Sequence, residues 1–270
     1  MMKISIFTTI TNPEERMDPW KEALACYEDI ADEVVCVGKD WPEEFSFELI
    51  GQKFQEGFDN SNGDWVIHMD IDNFFHENDI SKLIGSLKDS SDYPSLAFPK
   101  YQIFTPDRFN LKAKMCIALN KKKFPNIKMN GGGDLCQPTI ENQLIKPSSV
   151  PYKRIPIWNY DTVFRTKEVI SKDRARFARA WNRYFNNWGD RGGGTPEEAF
   201  NAWYKMVEAR YKEHVMKLSL DDHPKYIKEK ILNLSMEQFG YDGFGLKQRQ
   251  KINLSNRVKS RLNFYYNNYF

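Results

Sequence analysis

Strand-like and helix-like segments alternate through the first third of the chain. The strand-like segments are residues 3–10, 33–38 and 66–72, and the helix-like segments are residues 18–30, 47–58 and 80–87. Parallel strands need a crossover between them, which is usually a helix, so this alternation predicts βαβ units. The chain is therefore expected to form an α/β fold with a mostly parallel sheet and helices on both faces.

Two helix starts are signalled by their residue types. Asp18 is a good capping residue and is followed by Pro19, which suits the first turn of a helix. Thr195, Pro196 and Glu198 have the spacing of a capping box, so a helix is expected from there to about residue 214.

Polar residues follow each of the first three predicted strands, at residues 8–12, 38–40 and 70–72. In open sheets with parallel strands, ligands bind beyond the carboxyl ends of the strands. The sequence therefore predicts one crevice bordered by these three segments.

The third strand leads into two carboxylates, Asp70 and Asp72. In an extended chain Val66, His68, Asp70 and Asp72 would share one face, because side chains alternate. An Asp-x-Asp pair at a strand end can hold a hard divalent cation, with substrate phosphates completing the shell. The alternative is that both residues only begin a loop and cap the next helix.

Composition restricts the class of protein. The chain has 270 residues, enough for one large domain or two small ones, and its formal charge of +2 gives no general reason to expect nucleic acid or a membrane surface as a partner. No apolar run approaches the roughly 20 residues that span a bilayer, and the N-terminal segment does not have the pattern of a signal peptide. The 4 cysteines are scattered, which favours reduced side chains in a cytoplasmic protein.

The second half is harder to interpret. Short strands are expected at residues 95–104, 115–119, 127–129 and 155–161, and a basic helix, whose charged face we expect to be solvated, at residues 166–185. Residues 130–134 are rich in glycine and are expected to be a turn that either approaches a ligand closely or is a simple surface hairpin loop. The segment from Arg257 to Phe270 is interpreted as a packed or frayed extension, with an amphipathic membrane contact as the alternative.

Residues 3–185 resemble a nucleotide-sugar glycosyltransferase of the GT-A fold, of the family-2-like kind. The resemblance rests on the polar end of the first strand, on residues 35–40, on the helix at residues 52–58, and on Gly63-Asp64-Trp65 leading into the strand that ends in Asp70 and Asp72. It implies a three-layer GT-A domain at residues 1–185 and a helical C-terminal extension at residues 186–270.

The resemblance also implies binding residues. It places the nucleoside near Thr8, Thr9, Asn12 and Asp40, and puts Gln55 where the family usually has an asparagine lining the same pocket. Asp70 and Asp72 match the motif that binds Mn²⁺ or Mg²⁺ against the diphosphate of the donor. The resemblance then implies a nucleoside-diphosphate sugar as donor, a UDP-sugar in the first instance, and a glycan, a lipid-linked sugar or another hydroxyl compound as acceptor.

Two further elements match some relatives of that family. Asn159 and Tyr160, followed by Lys167, stand where those relatives have a His-Tyr…Lys element, so the histidine ligand is replaced and Asp161 can substitute for it. His223-Pro224 matches a His-Pro pair near the end of the domain.

Family-2-like members invert the anomeric centre, so a carboxylate must remove the proton of the acceptor hydroxyl. Asp134, after three glycines, is the first candidate for this base, and Asp161 is the second.

Two other functions remain open. A sugar nucleotidyltransferase has a similar sheet, but it typically has a glycine-rich phosphate loop with an arginine after the first strand, and residues 8–12 contain no glycine. A carbohydrate-binding protein that has lost turnover would use the many aromatic residues, but the intact Asp70 and Asp72 argue against it.

Overall fold

The structure, a computed structural model, describes residues 2–39, 41–129, 137–249 and 254–269. Its strands are β1 (Ile4–Thr9), β2 (Glu33–Val37), β3 (Trp65–His68), β4 (Asn73–Phe74), β5 (Ser95–Thr105), β6 (Arg108–Leu119), β7 (Thr139–Ile140), β8 (Gln143–Leu144), β9 (Ile157–Asn159) and β10 (Met216–Lys217). Its helices are α1 (Trp20–Glu28), α2 (Phe47–Asn60), α3 (Ile80–Asp89), α4 (Lys167–Phe185), α5 (Pro196–Tyr211), α6 (Lys228–Leu232), α7 (Phe239–Asp242), α8 (Leu246–Arg249) and α9 (Leu254–Tyr269).

Among the described residues, the central sheet has 8 strands: seven lie in the order β2-β1-β3-β6-β5-β9-β4, and β10 pairs with β6. Strand β1 is parallel to β2 and β3, and β5 is parallel to β9, whereas β6 and β4 run against their neighbours. Most strands therefore share one direction, and the strand ends that were expected to form a crevice lie at the same edge.

Each face of the sheet buries its own set of apolar side chains. Ile4 and Ile6 of β1 pack with Tyr27 of α1 on one face, and Phe7 packs with Phe58 of α2 on the other. The predicted α/β fold of GT-A type, with a mostly parallel sheet, helices on both faces and a helical C-terminal part, is confirmed.

The middle of the chain is more regular than predicted. The strand predicted at residues 95–104 is confirmed as β5, whereas residues 115–119 are only the second half of β6, which pairs with β5 in a long antiparallel hairpin with register shifts. The first half of β6 alternates apolar residues with Asn110, Lys112 and Lys114, and this alternation, typical of a half-buried strand, was a usable signal that the sequence prediction missed. At residues 127–129, only Lys128 pairs, through a bridge to Thr139.

The two predicted helix starts have different outcomes. Thr195 and Glu198 form the capping box at the start of α5, as predicted. Asp18 does not cap α1, which begins at Trp20 after Pro19 without a side-chain cap. Its carboxylate is buried and paired with Arg165, so an ion pair between distant segments replaced the local cap.

The C-terminal helices pack on the sheet domain. Helix α5 lies along α4, and its residue Tyr211 bonds to Thr105 of β5 over 3.0 Å. Phe264 of α9 contacts Phe109 of β6. The proposed division after residue 185 stays a prediction. Within the described ranges, no helix has both the length and the apolar character that crossing a membrane requires.

Candidate active site

A cleft of about 760 Å³ opens at the carboxyl ends of the strands and is bordered by α4 and α5. Basic side chains outnumber acidic ones in its described lining. The basic residues are Arg16, Lys100, Lys112, Lys114, Arg165, Arg174, Arg176, Arg191 and Arg210, and the acidic residues are Asp18, Asp70, Asp72, Asp161, Asp173 and Asp190. The cleft is therefore suited to a ligand with negative charge.

Asp70 and Asp72 lie in this cleft, on a tight turn after β3. Strand β3 ends at His68, so the prediction that Asp70 and Asp72 continue its alternating face is wrong. The buried hydroxyl of Tyr27 donates to the backbone oxygens of Asp70 at 2.7 Å and Asn73 at 3.1 Å, which fixes the turn. The side-chain amide of Asn73 donates to Asp70 Oδ2 over 3.2 Å. The turn is thus held by the core helix α1.

Asp72 is the deeper of the two carboxylates. The amide of Asn159 donates to Asp72 Oδ1 over 3.1 Å, and the backbone N–H of Tyr160 donates to the Asp72 carbonyl oxygen over 2.9 Å. Burial raises the pKa of Asp72 to about 7, and the neighbouring charges of Asp161 and Asp70 act in the same direction. Such a carboxylate is stabilised by any cation that enters the cleft.

Asp161 is the third carboxylate of the site. Burial alone would raise its pKa, but Arg174 and then Arg165 outweigh this effect, so the pKa of Asp161 is lowered. Arg174 Nη2 lies 3.2 and 3.1 Å from the two Asp161 oxygens. The basic face of α4 was expected to be solvated, and this is wrong for Arg174, which lines the cleft. Arg176 of the same helix also lines it and bonds to two backbone oxygens of residues 42–43.

Lys112 reaches the cleft through a bulge in the β5–β6 hairpin. Lys100 pairs with Ala113 and Tyr101 with Leu111, so Lys112 is the extra residue between the two pairs. Bulges re-aim a side chain in this way. Burial in the cleft lowers the pKa of Lys112, and the charge of Lys100 adds to this effect. Lys100 itself lies 3.9 Å from Asp70 Oδ2.

The floor of the cleft contains a buried ion network. Arg165 Nη2 bonds to Asp18 at 2.6 Å and Arg165 Nη1 to Asp173 at 3.1 Å. Arg16 also pairs with both aspartates. These contacts join the loop before α1 to α4.

His223, of the His-Pro pair suggested by the resemblance, has a structural role here. Tyr160 Oη lies 2.7 Å from His223 Nδ1, and His223 Nε2 lies 2.8 Å from the Pro106 carbonyl oxygen. His223 is buried, and both ring nitrogens have protein partners. The pair Tyr160–His223 therefore ties the C-terminal part to the strand that positions Asp72.

The residues predicted to bind the nucleoside are separated by the structure. Thr9 lines the cleft, Thr8 is buried beneath it, and Asn12 is exposed and outside the described lining. Gln55 also lies outside that lining, because it bonds to the Met129 N–H and to Asp59. Asp40 and Asp134 lie outside the described residues.

Trp41 and Lys112 line the cleft without having been predicted, whereas Thr11 belongs to residues 8–12, which were expected to border the crevice. Thr11 and Trp41 lie near Gly38, whose carbonyl oxygen accepts from Thr11 over 2.6 Å. Their position after β1 and β2 was a usable signal. Nothing local indicated Lys112, because its place depends on a bulge.

The chemistry of Asp70 and Asp72 suits a divalent cation. Both supply carboxylate oxygens, Asp70 is half-exposed, and the pKa of Asp72 is raised by burial and then by the neighbouring negative charges. Within residues 2–39, 41–129, 137–249 and 254–269, no three His, Cys, Asp or Glu side chains are grouped so that they alone could hold a metal ion. The remaining ligands would have to come from a substrate or water.

Comparison with known proteins gives only distant similarity. No family model and no curated protein matches the chain. Among solved structures, it is similar to S. aureus TarS 1–349, with 9% identity, 100% of this chain and 93% of that chain covered, and a TM-score of 0.34. A structure of S. aureus TarS has 10% identity, 97% and 55% coverage and a TM-score of 0.37. TarS 1–349 in complex with UDP has 9% identity, 100% and 93% coverage and a TM-score of 0.36. Values this low assign no function, which has to be derived from the site.

Proposed function

We propose that the chain is a metal-dependent glycosyltransferase that moves a sugar from a nucleoside-diphosphate donor, UDP-sugar in the first instance, to an acceptor hydroxyl with inversion. The observation that carries this proposal is the set of three neighbouring carboxylates, Asp70, Asp72 and Asp161, in a cleft with a surplus of basic side chains. Carboxylates alone would repel the negatively charged diphosphate of a nucleotide sugar. Carboxylates that hold a metal cation, with basic side chains around them, are suited to bind it.

In this proposal Asp70 and Asp72 hold Mn²⁺ or Mg²⁺, which supplies Lewis-acid stabilisation of the departing diphosphate. Asn159 keeps the Asp72 carboxylate in place through its 3.1 Å hydrogen bond. Lys100 and Lys112 lie on the hairpin and add positive charge that attracts the phosphates. Preorganised charge of this kind is effective because it costs no reorganisation during the reaction.

The nucleoside is proposed to lie beside the ends of β1 and β2. Thr9, Thr11 and Trp41 line that part of the cleft and offer two hydroxyls and an aromatic ring. The resemblance adds Asp40 to this group and also names Thr8, Asn12 and Gln55. Of these, Thr8 and Gln55 would act by supporting the lining residues from behind.

The base that receives the acceptor proton is proposed to be Asp134 or Asp161. Asp161 is within the cleft, but Arg174 holds it in the ionised form and occupies both of its oxygens. A carboxylate stabilised in this way is a weaker proton acceptor. Asp134 therefore remains the first candidate, and Asp161 is better suited to keeping Arg174 in position.

Turnover can be tested without knowing the acceptor, because many glycosyltransferases hydrolyse their donors slowly. UDP-sugars would be incubated with the protein and Mn²⁺, and UDP release measured with and without EDTA. We expect release from at least one sugar that needs the metal and is lost in Asp72→Asn, but is retained in the control Asp92→Asn, whose carboxylate is exposed and outside the cleft. The proposal would be overturned if UDP release were unaffected by EDTA and by Asp72→Asn, or if no UDP-sugar released UDP at all.

A further inference from the structure

Helix α9 exposes a stripe of apolar side chains. Leu254, Val258, Leu262 and Tyr266 follow one another at intervals of four residues, so they lie on one face of the helix. Leu254 is 76% exposed and Leu262 is 64% exposed, and Val258 and Tyr266 are exposed as well. A contiguous apolar face on a surface helix marks an interaction site more often than scattered single residues do.

The other side of the same helix is fixed to the body of the protein. Ser260 is buried, and the ring of Phe264 contacts Tyr101 at 5.9 Å and Phe109 at 5.6 Å between centroids. With 100° between successive residues, Ser260 and Phe264 lie opposite the exposed stripe. The contacts of Ser260 and Phe264 with the body of the protein therefore fix the orientation of the helix and keep the apolar stripe facing solvent.

Basic residues border the stripe on both sides. At the same helical spacing, Arg257 and Arg261 lie along one edge of the stripe and Lys259 along the other, and all three are exposed. The segment Leu254–Tyr269 contains no Asp or Glu. An apolar stripe with a basic border is the pattern of a helix that lies in the plane of a membrane surface.

We propose that α9 binds a membrane surface containing anionic lipids, with the stripe Leu254, Val258, Leu262 and Tyr266 inserted among the acyl chains and the three basic residues on the headgroups. A second copy of this chain fits the surface less well, because pairing two such stripes would bring like charges together at both borders. The helix of 16 residues is about 24 Å long, which is sufficient for such an interfacial contact. The inference is independent of the proposed catalytic function.

The test is co-sedimentation of the full chain with sonicated vesicles. One set would contain phosphatidylcholine alone, and the other phosphatidylcholine with about one third phosphatidylglycerol, an anionic fraction large enough to give a surface potential. We expect binding to the anionic vesicles that falls in high salt. Changing Arg257, Lys259 and Arg261 together to Gln should weaken it on the order of a hundredfold, since each basic residue near such a surface contributes about 1 kcal/mol.

The apolar part is tested by Leu262→Asp against a matched control. Leu232→Asp changes an equally exposed leucine, 68% accessible, on α6. Leu262→Asp should abolish vesicle binding and Leu232→Asp should not, and both variants should keep the melting temperature of the unchanged protein. The proposal is overturned if the unchanged protein stays in the supernatant, if both variants lose binding equally, or if light scattering shows a dimer that Leu262→Asp dissociates while vesicles are not bound.

Discussion

The side-chain amide of Asn159 donates a hydrogen bond to the carboxylate of Asp72 over 3.1 Å. The same amide donates to Asn73 Oδ1 over 3.0 Å, and Asn73 pairs with Asn159 across strands β4 and β9. The position of Asp72 is therefore set by strand pairing, and one neutral donor is all that Asn159 supplies. This donor does not balance the negative charges of Asp161 and Asp70, and with burial they leave the pKa of Asp72 near 7.

This pKa has a consequence for stability. The pKa of Asp72 is about 4 in the unfolded chain, the ordinary value for an aspartate, and about 7 in the folded protein. Between these two pH values the folded state binds more protons at Asp72 than the unfolded chain does. The free energy of unfolding therefore falls as the pH rises from about 4 to 7. Asp72→Asn removes the titration and keeps the shape. We expect it to raise the free energy of unfolding at pH 8 by more than about 1 kcal/mol and to leave it unchanged near pH 3.5.

Urea unfolding at the two pH values, without added metal, measures this difference. Asp92→Asn, at an exposed position, is the control and should change neither value. A destabilised Asp72→Asn protein at pH 8 would show that the folded state favours the charged carboxylate.

Removing one partner from the buried ion network should destabilise the fold strongly. Arg165→Met keeps much of the volume but leaves the buried carboxylates of Asp18 and Asp173 with Arg16 as their one ion-pair partner among the residues that the structure describes. Removing one partner of a buried ion pair costs about 3–5 kcal/mol, because the remaining charge is uncompensated.

The matched control is Lys172→Met, which breaks the exposed pair with Glu168 on the same helix, α4. Exposed pairs contribute roughly 0–1 kcal/mol. Chemical denaturation should therefore give free energies of unfolding for the two variants that differ by at least about 2 kcal/mol, with Arg165→Met the less stable. Equal free energies of unfolding for the two variants would contradict this prediction.

The roles of Asp134 and Asp161 can be separated by kinetics once a donor is known. Loss of a general base typically lowers the rate by about 10²–10⁴-fold. We expect Asp134→Asn to have this effect on transfer while donor binding is retained. Asp161→Asn should instead weaken donor binding, because Arg174 loses its partner. Normal transfer by Asp134→Asn, together with a rate loss in Asp161→Asn, would assign the base to Asp161.

The sequence predicted the features that depend on local patterns. The alternation of segments before residue 90 was sufficient for the sheet, because each strand and helix there has its own period. It placed Asp70 and Asp72 at the correct edge. The bulge at Lys112, the pairing of Asp18 with Arg165 and the inward position of Arg174 were not predictable, since each depends on residues distant in the chain.

Titration calorimetry of UDP tests the central claim most directly. With Mn²⁺ present, the unchanged protein should bind UDP at least tenfold more tightly than in EDTA, because Asp70 and Asp72 hold the ion against the diphosphate. In Asp72→Ala this dependence on Mn²⁺ should disappear while the far-UV circular dichroism is unchanged. Equal UDP affinity with and without metal, or an Asp72→Ala protein that binds UDP as the unchanged protein does, would contradict the account.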